Sequence, residues 1–340
     1  YSIEKTGVFY GYDQSNFGEN NLPLSVFGIQ QNLEFPTVYN RQKHINSIDY
    51  QLSVTQSEMM ARAISKEVAQ QYNLVVYHQN KMVLYQYLDS LFQDFSKAAN
   101  RKYELGETNY LEMLTAQSKK NYWLMQLNQL EQELKSTMAG LKAVIQTDSS
   151  FVIQDQELTA QVLENQETAV NPGVRYMQQQ VNLVEARFKL EKSKLLPGLQ
   201  LEYFLSTNDG PNAKKYNAYQ VGIQVPLFFK PQQNKIVATR IHREMAENHA
   251  SNYSIRLQSK ENQLEALLQK YSQAINYYQS TGKNLAEEIN RTAQKSYHNG
   301  EIDFFQYIQS LENATSIVIE YLDNLVQYNA TLFEIKYLTL

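Results

Sequence analysis

Over residues 199–206, Leu199, Leu201, Tyr203 and Leu205 take one set of alternate positions, and Gln200, Glu202, Phe204 and Ser206 take the other. Residues 219–227 repeat the pattern: Tyr219, Val221, Ile223, Val225 and Leu227 share a face opposite Gln220, Gly222 and Gln224. A period of two over this length predicts strands, at about 199–206 and 218–228, joined through a polar loop as a hairpin. Earlier in the chain Phe27, Ile29, Leu33 and Phe35 oppose Gly28, Gln30, Asn32 and Glu34, which predicts a strand at about 26–35. Its partner, at about 4–12, is less regular. Elsewhere the spacing changes to alternating fours and threes. Phe304, Ile308, Leu311, Thr315, Val318, Leu322, Leu325, Asn329 and Leu332 form such a seam. Ile317, Tyr321, Tyr328 and Ile335 add a second stripe, and Leu127, Leu130, Leu134, Met138, Leu141 and Ile145 form another seam. Helices are expected at about 37–104, 108–146, 172–196, 232–298 and 302–338.

Two glycines interrupt this helical pattern, Gly106 and Gly300, and they lie 194 residues apart. The same offset places Gly28 on Gly222, Ile29 on Ile223, Gln30 on Gln224, Leu33 on Leu227 and Phe35 on Phe229. It also places Tyr103 on Tyr297 and Glu107 on Glu301, while the polar stretch 13–23 falls on 207–217. The chain therefore reads as a tandem duplication without net insertion. Residues 1–147 are the first repeat, 148–171 a linker without periodicity, and 172–340 the second repeat. Residues 105–107 and 299–301 are expected as turns between antiparallel helices. Glycine ends one helix in the left-handed conformation, and the acid after it suits the next N-terminus.

Composition narrows the class. A net charge of −4 argues against nucleic acid as a partner, and the absence of cysteine excludes disulfides and thiolate metal sites. No apolar run reaches the length of a membrane-spanning helix. Nothing resembles a nucleophile–base pair or a phosphate loop, so no catalytic residue, cofactor or enzyme activity is assigned. His242 and His249 lack a third ligand and the usual four-residue spacing, so no metal site is assigned either. Met59 and Met60 diverge around a helix and read as packing. The Asn-x-Ser/Thr tripeptides at Asn252, Asn290, Asn313 and Asn329 fall on predicted helices and read as chance.

Four strands cannot close a barrel alone, and left open they expose their edges. Three copies would supply twelve. One apolar or aromatic face opposite a Gln-, Glu-, Gly- and Asn-bearing face is the pattern of a membrane barrel with lipid outside and water inside. The lipid-facing set would be Phe27, Ile29, Leu33, Leu199, Leu201, Tyr203, Leu205, Tyr219, Val221, Ile223 and Val225. The fold expected is mainly α with a membrane β-barrel contribution. The rival class is a soluble coiled-coil scaffold or adaptor with the hairpins as packing appendages.

The order of strand pair and helical hairpin, twice over, resembles the TolC-type outer-membrane efflux proteins along nearly the whole chain. The turn segments YELGETNYLEMLTAQ (103–117) and YHNGEIDFFQYIQSLENA (297–314) are similar to that family's periplasmic tip. LEFPTVYNRQ (33–42) and VPLFFKPQQN (225–234) are similar to its strand-to-helix transition. The character of the first of these transitions points to the branch serving heavy-metal pumps. The resemblance implies a homotrimer with a twelve-stranded barrel in the outer membrane of a Gram-negative bacterium, in contact with its lipid, and a helical tunnel in the periplasm. It also implies a periplasmic adaptor and an inner-membrane pump of the RND type as partners. The adaptor would dock at Tyr103, Leu105, Gly106, Glu107, Tyr297, Asn299, Gly300 and Glu301. In the family the second return helix carries acidic residues six and nine positions after the tip glycine. Here those are Gln306 and Gln309, so a neutral polar constriction is expected, with Asp303 and Glu301 next in line. The first repeat lacks the helix that precedes the second repeat's strands, and is read as truncated at its N-terminus.

Overall fold

The computed structural model describes residues 4–17, 22–154, 157–162, 170–208 and 213–339. Strands β1 (Gly7–Phe17), β2 (Pro23–Leu33), β3 (Gly198–Asn208) and β4 (Lys215–Gln224) form one antiparallel sheet in the order β1-β2-β3-β4. Its register aligns Val8, Ile29, Tyr203 and Tyr219 in one cross-strand row, so the four apolar alternations fall on the same face.

The bounds differ from the sequence expectation for local reasons. β2 ends at Leu33 because the chain turns into a helix: the Val38 amide donates to the Phe35 carbonyl at 2.8 Å, and the Glu34 amide donates to Tyr39 Oη at 3.0 Å. β4 ends at Gln224, two residues before Pro226, which has no amide proton to give to a ladder. Val225 and Leu227 therefore lie outside the strand. β1 starts later than expected and runs on through Asp13, with a register shift between Asp13 and Phe17. The sheet also corrects the idea of a duplication without insertion. Gln30 and Gln224 keep the 194-residue offset, but their partners Gly7 and Gly198 are only 191 apart, so the second hairpin is three residues longer. Part of that loop lies outside the described residues.

The helices are α1 (Pro36–Glu104), α2 (Tyr110–Val144), α3 (Pro172–Ser193), α4 (Lys230–Tyr277), α5 (Lys283–His298) and α6 (Phe304–Lys336). The continuous helix expected at 232–298 is interrupted by a π turn, Tyr278–Gly282. There the Tyr278 ring stacks on Tyr321 at 3.8 Å, and buried Gly282 leaves room for Tyr278 and Ile317. Such single-turn bulges keep the helix direction while shifting the side-chain phase. Among the described residues no helix is long and apolar enough to cross a membrane.

Two compact units cut across the repeats. One comprises residues 1–58 and 172–255, the other 59–171 and 256–340. In the first, Val38, Ile45, Ile48 and Leu52 of α1 bury against Leu183, Ala186 and Leu190 of α3, matching two helical stripes. In the second, an aromatic core gathers Tyr85, Phe92, Trp123, Phe304 and Tyr307, with Phe92 stacked on Trp123. Further along, Val76, Ile275, Leu322 and Leu325 bury Leu158 of the irregular linker. A buried polar node fixes that linker. Asn329, within the α6 seam, donates to Asn73 Oδ1 at 3.0 Å and to the Thr159 carbonyl at 2.9 Å, and its own Oδ1 accepts from the Gln161 amide at 2.9 Å. A buried amide satisfied on both ends specifies register in a seam that leucines alone would leave free to slide.

Candidate functional site

Two regions carry the sequence-predicted residues, and each is described by itself. In the first unit, one face of the sheet is covered by none of the described residues. Phe27, Ile29, Leu199, Leu201, Tyr203, Leu205, Tyr219, Val221 and Ile223 are all exposed there. Leu33, the last residue of β2, is half-buried, and Val225 is exposed beyond the end of β4. The structure adds Val8, Tyr10 and Tyr12 of β1 to the same face. Their alternation was visible in GVFYGY (7–12), but Phe9 sits between them and blurs the apolar–polar contrast. No described strand pairs with the outer edge of β1 or of β4. A contiguous apolar face with two open edges marks a surface that a lipid or another chain must cover.

In the second unit, the two glycine turns share one hydrogen-bond scheme. The Glu107 amide donates to the Lys102 carbonyl at 2.8 Å and the Gly106 amide to Tyr103 at 3.0 Å. Glu301 donates to Ser296 at 2.8 Å and Gly300 to Tyr297 at 3.1 Å. These paired bonds are the Schellman closure, which needs a left-handed residue at the glycine position. Gly106 has φ +74° and Gly300 φ +73°. The next helices then start on caps that the sequence analysis did not assign. Asn109 Oδ1 accepts from the Glu112 amide at 2.9 Å, and Asp303 Oδ1 accepts from the Gln306 amide at 2.8 Å. The signal was present in both cases, an Asn or Asp followed three residues later by Glu or Gln.

That cap engages Gln306, which stays exposed. Its side chain is not free: Gln306 Oε1 accepts from the Asp303 amide at 3.2 Å, completing a capping box. Asp303 is the other half of the same box. Gln309 is exposed one turn on, with no role in the cap. Glu301 is fully exposed, and donors from Ser296 (2.8 Å) and Asn299 (3.2 Å) hold its carboxyl below the usual carboxylate range.

Around the turns the aromatic residues divide. Tyr297 stacks on Tyr307 at 4.8 Å within the core, and burial, with the Glu112 charge adding to it, pushes its hydroxyl up. Burial likewise pushes Tyr307 up to about 12, with Tyr87 and Tyr297 adding to it. Tyr103 packs on Tyr110 at 5.6 Å, but both remain exposed, as do Leu105, Leu111 and Leu114. Leu111 and Leu114 were not in the predicted set. His242 and His249 are exposed on α4, and no group of three metal-ligating side chains occurs among the described residues.

No protein-family model matches this chain, and no curated protein matches it. Solved structures do. The Campylobacter jejuni CmeC outer membrane channel aligns with a TM-score of 0.77 at 12% identity, covering 98% of this chain and 76% of that one. The outer-membrane channel OprN gives 0.83 at 11% identity, over 98% and 79%. The open state of the Neisseria gonorrhoeae MtrE outer membrane channel gives 0.76 at 10% identity, over 98% and 79%. At these identities the likeness is one of fold. The chain has the fold of the TolC-type outer-membrane channels.

Proposed function

We propose that this chain is the protomer of a passive outer-membrane exit duct. The observation that carries the reading is the four-stranded sheet with one bare apolar face and two open edges, on a chain whose fold otherwise matches channels throughout. Three copies joined edge to edge, β4 of one to β1 of the next, would close a twelve-stranded barrel. Its apolar face would meet lipid and its polar face water. The helices of three copies would line a periplasmic tunnel, and the chain performs no chemistry of its own.

The two glycine turns are proposed as the docking tip for a periplasmic adaptor coupled to an inner-membrane pump of the RND type. Leu105, Glu107, Asn299 and Glu301 would present the contacts, while Gly106 and Gly300 shape the turns. Because Gln306 is committed to its cap, the tunnel constriction is assigned to Gln309. Heavy-metal cations are the cargo suggested by the resemblance of residues 33–42. The soluble-scaffold alternative makes the opposite prediction for extraction. Full-length protein should partition with membranes, need detergent, run as a trimer by mass and conduct ions in planar bilayers. A detergent-independent monomer with no conductance would overturn the duct.

A further inference from the structure

We infer that the polar face of the sheet carries a contact site for organic cations with an aromatic body, centred on Phe9 and Phe204. The inference rests on the duct reading, which turns this face towards water. Phe9, Gly28, Phe204 and Ala218 lie side by side in one cross-strand row. A Cβ at Gly28 would stand 2.3 Å from Phe9 Cζ and 2.9 Å from Phe204 Cβ, so only glycine lets the Phe9 ring lie across β2 towards Phe204. Both rings are half-buried. The next row in one direction is polar, with Gln30, Glu202 and Gln220. The next row in the other direction holds Tyr216, whose hydroxyl is buried with no hydrogen-bond partner among the described residues.

Within the strands the charge on this face has one sign, with Lys5 and Lys214 just outside β1 and β4 at its two ends. The four strands contain three ionisable acids and bases that carry charge at neutral pH, Asp13, Glu202 and Lys215. By register Asp13 and Glu202 share the face of Phe9 and Phe204, whereas Lys215 falls on the opposite face at the hairpin end. Glu202 lies two residues from Phe204 on β3, about 7 Å along the strand. It is oriented by Gln200 Nε2, which donates to it at 2.6 Å. A ring face beside a carboxylate, with no base nearby on the strands, fits a cation that is also apolar. A bare metal ion would use the carboxylate and ignore the rings.

Phe9 also has a structural role, since it covers a strand glycine. Phe204 is not needed for that cover, so it separates the two roles. The test is single-channel conductance of the full chain in planar bilayers with potassium chloride. The probes are tetraphenylphosphonium, tetraphenylborate of the same shape, and zinc. Tetraphenylphosphonium should block, and Phe204→Leu, which keeps apolar bulk, should weaken that block about tenfold while open conductance stays unchanged. Phe204→Trp should strengthen it, Phe9→Leu should weaken it, and tetraphenylborate should block far less. Unchanged tetraphenylphosphonium block in Phe204→Leu and Phe9→Leu would overturn the site, as would equal block by both organic ions. Block by zinc alone, lost in Glu202→Gln, would replace it with a metal-cation site. Absence of conductance under every condition would instead overturn the duct reading itself.

Discussion

The two helix-to-helix turns share a backbone and differ in what surrounds them. Gly106 and Gly300 have the same left-handed φ, the same paired closure and an equivalent cap three residues on, at Asn109 and Asp303. Yet Phe304 and Ile308 are 3% and 4% exposed, while their repeat equivalents Tyr110 and Leu114 are 55% and 40% exposed. The return helices turn different faces inward. α6 buries Phe304, Ile308 and Leu311, whereas α2 buries Ala116, Trp123 and Leu130, whose equivalents on α6 are only half-buried. Duplication preserved the turn, which is local chemistry, and let the packing diverge with the neighbours. The face of α2 left bare corresponds to one that a helix core fills in the other repeat.

The comparison breaks most readily at those paired positions. Phe304→Ala should cost about 3–5 kcal/mol and Ile308→Ala about 2–5 kcal/mol, because each removes a side chain from a closed core. Tyr110→Ala and Leu114→Ala should stay within about 0.5 kcal/mol in the dissociated chain. Urea unfolding of the four variants measures this directly. Equal losses at both turns would mean that the first return helix has a partner within its own chain. In the trimer proposed above, Tyr110→Ala and Leu114→Ala would instead loosen association, read as a shift from trimer to monomer at a given concentration.

Turn chemistry should behave alike in both repeats. Gly106→Ala and Gly300→Ala should each cost about 1–2 kcal/mol, the penalty of placing a Cβ in the left-handed region. No atom stands within 4 Å of a Cβ at either glycine, so the cost is conformational and the two values should agree. Asn at either position should cost less, since it tolerates that conformation. A twofold disagreement between the turns would show that packing reaches them after all. The caps come next in size: Asn109→Ala and Asp303→Ala should each lose about 1 kcal/mol. The two losses should be similar, because each removes only the side-chain acceptor of a first-turn amide, Glu112 or Gln306, and the Asp303 backbone amide that donates to Gln306 Oε1 stays in place.

Local periodicity is what made these elements readable from residues alone. The seam on α6 and the strands β3 and β4 announce themselves because each buries or exposes one face throughout. β1 was harder, since Phe9 puts a ring on the polar side and the strand then runs into Asp13-Gln14-Ser15 without an apolar marker. The π turn left no trace in the pattern, because a single inserted turn between Tyr278 and Gly282 shifts phase without breaking helicity. The longer second hairpin was hidden because the matched glycines, strands and helices from Gly28 onward all lie beyond its loop and keep the 194-residue offset. On α2 the seam through Leu127, Leu130, Leu134, Met138 and Leu141 marks the inward side, with Leu130 and Leu141 buried, but Ile145 at its end is exposed and the first turns, where Tyr110, Leu111 and Leu114 are exposed, carry no such marker. At Gln306 the spacing shows an exposed face, and the structure adds a capping box with Asp303 three positions before it.

The smallest expected effect distinguishes the turns by pH. Ser296 and Asn299 donate to Glu301, and in the first repeat Lys102 and Leu105 occupy the equivalent positions, so these two neutral donors belong to the second turn alone. Because the donors favour the ionised form, the folded-state pKa of Glu301 lies below its unfolded value. The stabilisation is therefore complete above the unfolded pKa, about 4.3, and fades as pH falls through the lower folded value. Wild type and Glu301→Gln should differ by a constant amount from neutrality to about pH 5, and the gap should narrow on further acidification. Asn299→Leu, which copies the first turn, should reduce the acid-side narrowing by removing one donor. Unfolding midpoints across that pH range read both effects. A gap that stays constant to the acid limit would remove the donors' role. An Asn299→Leu profile identical to wild type would leave Ser296 as the only contributor.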